Sequence, residues 1–317
     1  MTTVSNEIYQ VKAVPAGAWD THFHIFETDK FSFAPGRHYT PSTATLEQCQ
    51  QFHKSIGIEN VCIAHGLTYG ADLTSLRYYL EQLAGGPGKV RAICVLDIET
   101  TTDEFLDSCH AAGVRSVRLD LFRHGAMHNL EKQITLIEST ARRLVQWGKA
   151  GRWSIQLLQT HLEFWGRLRE IAAELPFPLV IDHLALVPGQ IMMQKEELTQ
   201  PTESEDFAAL LGALRDGNVW IKISAPYRCS NLGPDYLDLE HPIRLLTKAN
   251  PHRIIWGSDW PHTQRHTDRT EKGRLVPESY LKIDNKAWIR SLSRWLSEDE
   301  WTRMWVDNPR ELYDYHE

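Results

Sequence analysis

Two histidines and an acid share one short segment, Asp20-Thr21-His22-Phe23-His24, and their types and spacing invite chemistry. A neutral imidazole offers one lone pair and one N–H, so two of them on one strand can bind a metal ion or polarise a carbonyl oxygen. Alternate residues of a strand share a face, which predicts Asp20, His22 and His24 on one side and Thr21 and Phe23 on the other. Two further positions match this one. Leu179-Val180-Ile181-Asp182-His183 is an apolar run ending on a histidine, and Ile254-Ile255-Trp256-Gly257-Ser258-Asp259-Trp260-Pro261-His262 places Asp259 just beyond another. A carboxylate between two tryptophans is expected to be partly desolvated, with its pKa raised toward the range useful for a general base. Each feature has a plainer reading by itself: a pair of satisfied core histidines, or an acid capping a turn. Three histidines and one acid at three equivalent positions favour a site.

Equivalent positions require repeated elements to hold them. Apolar, β-branched runs read as strands at residues 19–25, 60–65, 90–97, 114–119, 153–158, 179–183, 219–224 and 253–257. Between them lie segments of helical period, such as Leu73-x-x-Leu76-x-x-x-Leu80-x-x-Leu83, Ile134-x-x-Ile137 leading to Leu144-Val145, and Phe207-x-x-Leu210-Leu211-x-x-Leu214. Thr101-Thr102-Asp103-Glu104 has the form of a capping box with Gly113 closing its helix, Ser297-Glu298-Asp299-Glu300 opens another helix, and Gly217-Asn218 stops one. Eight strands alternating with helices, with no break in composition, predict a single-domain α/β chain folded as a (β/α)8 TIM barrel over residues 1–317. A doubly wound sheet would call for a glycine-rich phosphate loop after the first strand, and none follows residues 19–25. A short N-terminal arm is expected over 1–17. The long connections 184–204 and 260–286 leave the strand ends where barrel enzymes carry their chemistry, and are lid candidates.

Composition bounds the function. The 317 residues include 34 Lys+Arg and 41 Asp+Glu for a net charge of −7, without a basic run, so neither nucleic acid nor an anionic membrane is an expected partner. No apolar stretch approaches the ~18 residues of a membrane span, and the first residues lack the basic and apolar regions of a secretory signal. The five cysteines, Cys49, Cys62, Cys94, Cys109 and Cys229, are scattered and show no CxxC spacing. That is the reduced pattern of a cytoplasmic enzyme or binding protein, for which a small-molecule substrate is the expected partner. Trp288, Trp295, Trp301 and Trp305 crowd the last thirty residues, either packing the final helices onto the barrel or forming the face of a homo-oligomer.

The motifs GAWDTHFHIF, DH at 182–183 and WGSDWPH at 256–262 resemble those of the amidohydrolase superfamily. FAPGRHYTP at 33–41, YGAD at 69–72, AGVRSVRL at 112–119, KISAPYR at 222–228 and DNPRELY at 307–313 narrow the resemblance to its lactonase branch, the group around 2-pyrone-4,6-dicarboxylate lactonase. The ordered set covers nearly the whole chain. The resemblance implies a (β/α)8 hydrolase in which Asp259 deprotonates the attacking water while His22, His24 and His183 surround and polarise a lactone carbonyl. It implies that Tyr39 reaches into the site and that Arg118 and Arg228 grip an anionic substituent, a task suited to the planar guanidinium fork. For either arginine the plainer reading is an inter-strand salt bridge.

The departures from that branch refine the expectation. The dicarboxylate enzymes carry a tyrosine in the fifth strand, a second arginine shortly beyond the fourth and an arginine just after DH; Gln156, His124 beside Arg123, and Leu186 stand there instead. Fewer cationic donors predict a lactone or related cyclic ester that is less anionic and more apolar than a pyrone dicarboxylate. Gln156, Tyr69 and His262 complete the candidate substrate contacts, though rings such as Tyr69 also suit core packing. The fourth strand offers Arg118 and Asp120 and the fifth has no histidine, where metal-dependent relatives commonly supply ligands. No cofactor is therefore expected to be required, with one zinc or manganese on His22, His24, Asp259 and His183 as the alternative. A metal-dependent decarboxylase or carbon–carbon lyase, a lactone isomerase and a non-catalytic binding protein are the competing functions.

Overall fold

The computed structural model describes residues 11–151, 153–159, 161–189, 192, 200–270 and 273–314. Eight parallel strands follow one another around a single sheet: β1 (Trp19–Asp20), β2 (Asn60–Ala64), β3 (Val90–Cys94), β4 (Val114–Arg118), β5 (Ser154–Leu157), β6 (Leu179–Ile181), β7 (Val219–Ile223) and β8 (Ile254–Trp256). Each pairs with its neighbour in sequence, from Trp19 opposite Asn60 to Ile223 opposite Trp256. The seam between first and last strands is closed by backbone bonds: Thr21 N to Trp256 O (3.1 Å), Asp259 N to His22 O (2.7 Å) and His24 N to Trp260 O (2.8 Å). The expected barrel and its single domain are present. The strands stop short of the expected ends because their last residues leave the ladder to build the site.

Helices α1 (Leu46–Ile56), α2 (Thr74–Ala84), α3 (Asp103–Ala111), α4 (Leu130–Trp147), α5 (Trp165–Glu174), α6 (Glu205–Arg215), α7 (Glu240–Ala249) and α8 (Asn285–Trp295) follow the strands in turn. Their ends are set by local chemistry. Thr45 and Gln48 make a reciprocal capping box on α1, and Ser297 and Glu300 do the same for α9 (Glu298–Thr302). At α3 the expected box is only half made. Thr102 is the cap, its hydroxyl accepting Phe105 N–H, while Thr101 donates instead to Asp97 O at 2.7 Å.

Odd and even positions of the strands divide the core. Ile155, Leu157, Leu179, Ile181, Val219, Ile221 and Ile223 face the helices. Trp19, Cys62, Ile93, Val180, Trp220 and Ile255 fill the barrel, whose floor is plugged by Leu312 and Tyr313 from α10 (Asn308–Tyr313). The four late tryptophans are buried, with Trp305 lying 4.3 Å from the Trp256 ring, so these four pack the last helices onto the barrel. The five cysteines are buried and unpaired. No helix among the described residues is long and apolar enough to cross a membrane. Residues 1–10 of the expected arm, residues 190, 191 and 193–199 of the first long connection, and 271–272 of the second lie outside the described residues.

Candidate active site

The C-terminal ends of β1, β6 and β8 converge. Asp259 Oδ1 lies 3.6 Å from His22 Nε2 and 3.8 Å from Nε2 of both His24 and His183, and all four residues are buried. Close approach at the seam depends on Gly257, where a Cβ would stand 2.6 Å from His22 Cβ. Asp259 has a left-handed backbone (φ +57°). His183 opens a turn in which four consecutive residues through Leu186 have φ of +50° to +58°, a conformation costing about 1 kcal/mol or more per non-glycine residue. β7 and the segment beyond it hold that turn. Ser224 Oγ accepts His183 N–H at 3.3 Å, and Cys229 Sγ donates to His183 O.

Each imidazole is oriented from behind through Nδ1. His24 Nδ1 donates to Ala64 O (2.8 Å), which can only accept, so Nε2 presents a lone pair toward Asp259. His22 Nδ1 lies 3.1 Å from Asp182 Oδ1, and His183 Nδ1 lies 2.9 Å from Ser224 Oγ. Burial holds the rings neutral, outweighing the nearby carboxylates. It lowers His22 to about 4 against the upward pull of Asp182, and lowers His24 and His183 to about 3.

Asp259 corrects one expectation. Burial does push its pKa up, but Arg228 and the three imidazoles outweigh burial and hold it well below the usual carboxylate range. Arg228 spans Oδ2 with Nε and Nη2 at 3.1 and 3.0 Å, and the Tyr227 hydroxyl donates to the same oxygen. The remaining donors of Arg228 reach Gln264 O and the Thr263 hydroxyl. Its fork is therefore occupied by Asp259, not open to a substrate anion, because the turn after β8 folds back onto the end of β7.

Asp20 is the second correction. It points out of the barrel toward α1, where His53 Nε2 meets it at 3.0 Å. Strict alternation fails because Asp20 Oδ1 takes the His22 N–H at 3.0 Å, a side-chain turn that ends the β1 ladder and shifts the phase. Position 19 thus faces the barrel interior, and so do 22 and 24.

Beneath the histidines the barrel interior is polar. Asp182 accepts from Arg118 Nη2 (3.2 Å) and Gln156 Nε2 (3.3 Å), and Lys222 Nζ stands 3.9 Å away. Lys222 donates to Thr21 O (2.6 Å) and lies 3.5 Å from His22 Nδ1, its pKa lowered by burial to about 8 despite Asp182. Sequence reasoning passed over Lys222, Asp182, Ser224 and Tyr227 as site residues. A lysine at the centre of Val219-Trp220-Ile221-Lys222-Ile223 was the available signal, since alternation puts it inside the barrel with Trp220.

The remaining candidates divide. Arg118 and Gln156 are in the site, bonded to Asp182. Tyr39 is buried at the mouth with the Arg269 guanidinium 3.7 Å above its ring, and Arg269 is itself paired with Glu278. Burial raises the Tyr39 phenol, while Arg118 and Arg228 lie near enough to pull it down. Tyr69 stacks on His65 and Phe26 and donates to Ile25 O, so it belongs to an aromatic cluster beside the site. His262 lies behind Asp259 and bonds Asn285 of α8 at 3.1 Å. Both residues are displaced from the expected substrate contacts because their polar atoms are aimed away from the three imidazoles.

Donor type and spacing can be tested against a metal ion. His22, His24 and Asp259 form one group of atoms within 4.8 Å of one another, and His22, Asp182 and His183 form another. His22 Nε2 is buried without a hydrogen-bond partner, and the Nδ1 atoms of His22 and His24 face acceptors, the backing that metal-ligating histidines have. The set fits one divalent ion. Its charge setting opposes one: Arg118 and Lys222 share Asp182 while Arg228 takes Asp259, leaving a positive excess before any ion arrives.

A 2-pyrone-4,6-dicarboxylate hydrolase of Comamonas testosteroni is 28% identical over 310 residues, covering 95% of this chain and 91% of the relative. A 4-sulfomuconolactone hydrolase of Hydrogenophaga intermedia is 27% identical, covering 95% and 89%. The crystal structure of an Agrobacterium tumefaciens protein matches with a TM-score of 0.73 at 23% identity, covering 96% of this chain and 98% of that one, and so shares the fold. The amidohydrolase family model matches residues 19–315, and the chain belongs to the amidohydrolase family.

Proposed function

We propose that this enzyme opens a lactone or related cyclic ester by hydrolysis, with Asp259 as the base. The reading is carried by the division of labour between the two oxygens of Asp259. Oδ2 is saturated by Arg228 and Tyr227, and Oδ1 faces the three imidazoles and can take a proton from a water lying among them. Lactone hydrolases among the relatives support the same chemistry.

In this scheme the water gives one proton to Oδ1 and points its other O–H at the Nε2 lone pair of His22, a buried nitrogen without another partner. Its oxygen attacks the ester carbonyl. With Ser224 donating its hydroxyl hydrogen to Nδ1, His183 presents Nε2–H to the developing oxyanion, the place where a fixed donor lowers the barrier most. The acyl C–O bond then breaks, and protonated Asp259 returns its proton to the leaving oxygen, giving a hydroxy acid or its keto form. A single divalent ion on His22, His24, His183 and Asp259 would supply Lewis-acid polarisation of the carbonyl when bound. The chain is proposed to turn over without one, because the surrounding layer already carries excess positive charge.

The substrate is proposed to carry at most one carboxylate. Arg228 and Arg269 are taken by Asp259 and Glu278, which leaves Arg118, shared with Asp182. At the mouth, the Phe122 and His38 rings lie 4.5 Å apart, tilted by 33°, and His266 stacks on His38 at 5.9 Å, a surface suited to a planar apolar part. Of the two long connections, the second is the proposed cover for that mouth, through residues 260–270, which bring His266 and Arg269 to it.

The test is turnover of a lactone panel in H₂¹⁸O, from dihydrocoumarin to a pyrone dicarboxylate. One ¹⁸O in the product carboxylate is expected, with a thousandfold or greater loss of kcat in Asp259→Asn. A product of unchanged mass would make the chain an isomerase, and metal-dependent release of carbon dioxide would make it a lyase. An Asp259→Asn variant retaining more than about a tenth of the rate would remove Asp259 as the base.

A further inference from the structure

Asp20 is fully buried and outside the reacting cluster, yet it binds both sides of the seam that creates the cluster. Its Oδ1 accepts the backbone N–H of His22 (3.0 Å) and of Ser258 (2.9 Å). Its Oδ2 accepts the Ser258 hydroxyl (2.5 Å) and His53 Nε2 (3.0 Å). Four donors on one carboxylate use its accepting capacity in full. Ser258 Oγ in turn accepts Trp260 N–H at 2.9 Å. Both neighbours of Asp259 are thus tied to one side chain, and Asp259 between them has no freedom to leave its left-handed backbone. The same carboxylate fixes the backbone of His22, whose Nε2 stands 3.6 Å from Asp259 Oδ1.

We propose that Asp20 is a positioning residue for the hydrolysis inferred above: it sets the separation of His22 and Asp259 by clamping β1 to the turn after β8. The inference rests on the lactonase reading for its kinetic consequence, but the clamp itself is a statement about geometry. An amide in its place keeps only one accepting oxygen, and its N–H₂ would force the Ser258 hydroxyl to turn away toward His22 O and His53 to take the tautomer that accepts at Nε2. Reacting groups displaced by about 1 Å can lose a hundredfold in rate.

The experiment compares Asp20→Asn with His53→Ala, which removes the one bond from Asp20 that leads to helix α1 alone. Two readouts are taken: dihydrocoumarin hydrolysis per folded molecule, and the ring ¹⁵N resonances of His22 in histidine-labelled protein. Asp20→Asn is expected to lose about a hundredfold in kcat with KM changed less than about threefold, and to shift the His22 ring signals. His53→Ala is expected to lower Tm while keeping kcat and those signals. The proposal is overturned if Asp20→Asn keeps kcat within about threefold and leaves the His22 ring signals unmoved, or if both variants lose rate only in proportion to folded fraction. Should Asp20→Asn fail to fold, Ser258→Ala cuts the link to Trp260 and must show at least about a tenfold loss in kcat and the same shift in the ring signals. If the parent opens no lactone, the hydrolase reading fails by itself, and the ring signals still decide the clamp.

Discussion

Arg228 meets Asp259 side-on, with Nε at 3.1 Å and Nη2 at 3.0 Å from one carboxylate oxygen, and leaves the other oxygen to the histidines. A buried acid would ordinarily be pushed toward protonation. Together with the neighbouring imidazoles this contact reverses the direction, so Asp259 is ionised throughout the physiological range and the fully buried site keeps its base charged.

Removing that cation should therefore move the acid limb of activity. Asp259 must be ionised to accept a proton, and in the parent its low pKa keeps its own limb of kcat/KM below the usual carboxylate range. In Arg228→Gln burial acts unopposed by the guanidinium, and the limb is expected to rise by at least about one unit, with Tyr227→Phe giving a smaller rise. A pH–rate profile of each variant checks this, and an unmoved limb would show that Asp259 does not set it.

Stability should fall on mild acidification. His24, His38, His65 and His183 are lowered to about 3 and His22 to about 4, each chiefly by burial, while the unfolded chain titrates near 6.5. Below pH 6.5 the unfolded state binds more protons than the folded one. The contribution of each histidine is therefore complete above that pH and is lost as pH falls toward its folded value, by up to about 1.4 kcal/mol per pH unit. Urea midpoints are expected to drop steadily from pH 7 to 5, and a flat profile would contradict the burial of these rings.

Chelation separates the two uses of the same donor set. Dialysis against a strong chelator, with elemental analysis of the product, is expected to leave less than about a tenth of a metal per chain and lactone-opening activity intact. Loss of activity restored by zinc or manganese would recast His22, His24, His183 and Asp259 as ligands.

Trp305 packs on Trp256, in the strand that leads to Asp259. Trp305→Ala should cost about 3–5 kcal/mol in urea unfolding, the range for a buried aromatic deleted from a packed core. A loss under about 1 kcal/mol would mean that this cluster collapses around the gap.

Much of the molecule follows from local sequence. The alternation of β-branched runs with helical periods specifies a barrel because each period can bury only one kind of face. The apolar runs that end on His183 and Asp259 place those residues at the reactive rim for the same reason. Tertiary structure decided what no period contains. Asp20 left the predicted face because its own carboxylate captured the His22 N–H and ended the ladder. Arg228 turned from a substrate grip into the partner of Asp259 once the turn after β8 folded across the end of β7. The sign of the Asp259 shift followed, since burial is legible beside two tryptophans whereas a guanidinium thirty-one positions away acts only through space. Lys222 belongs to both accounts: alternation places it inside the barrel, and only the closed seam puts its ammonium beside His22.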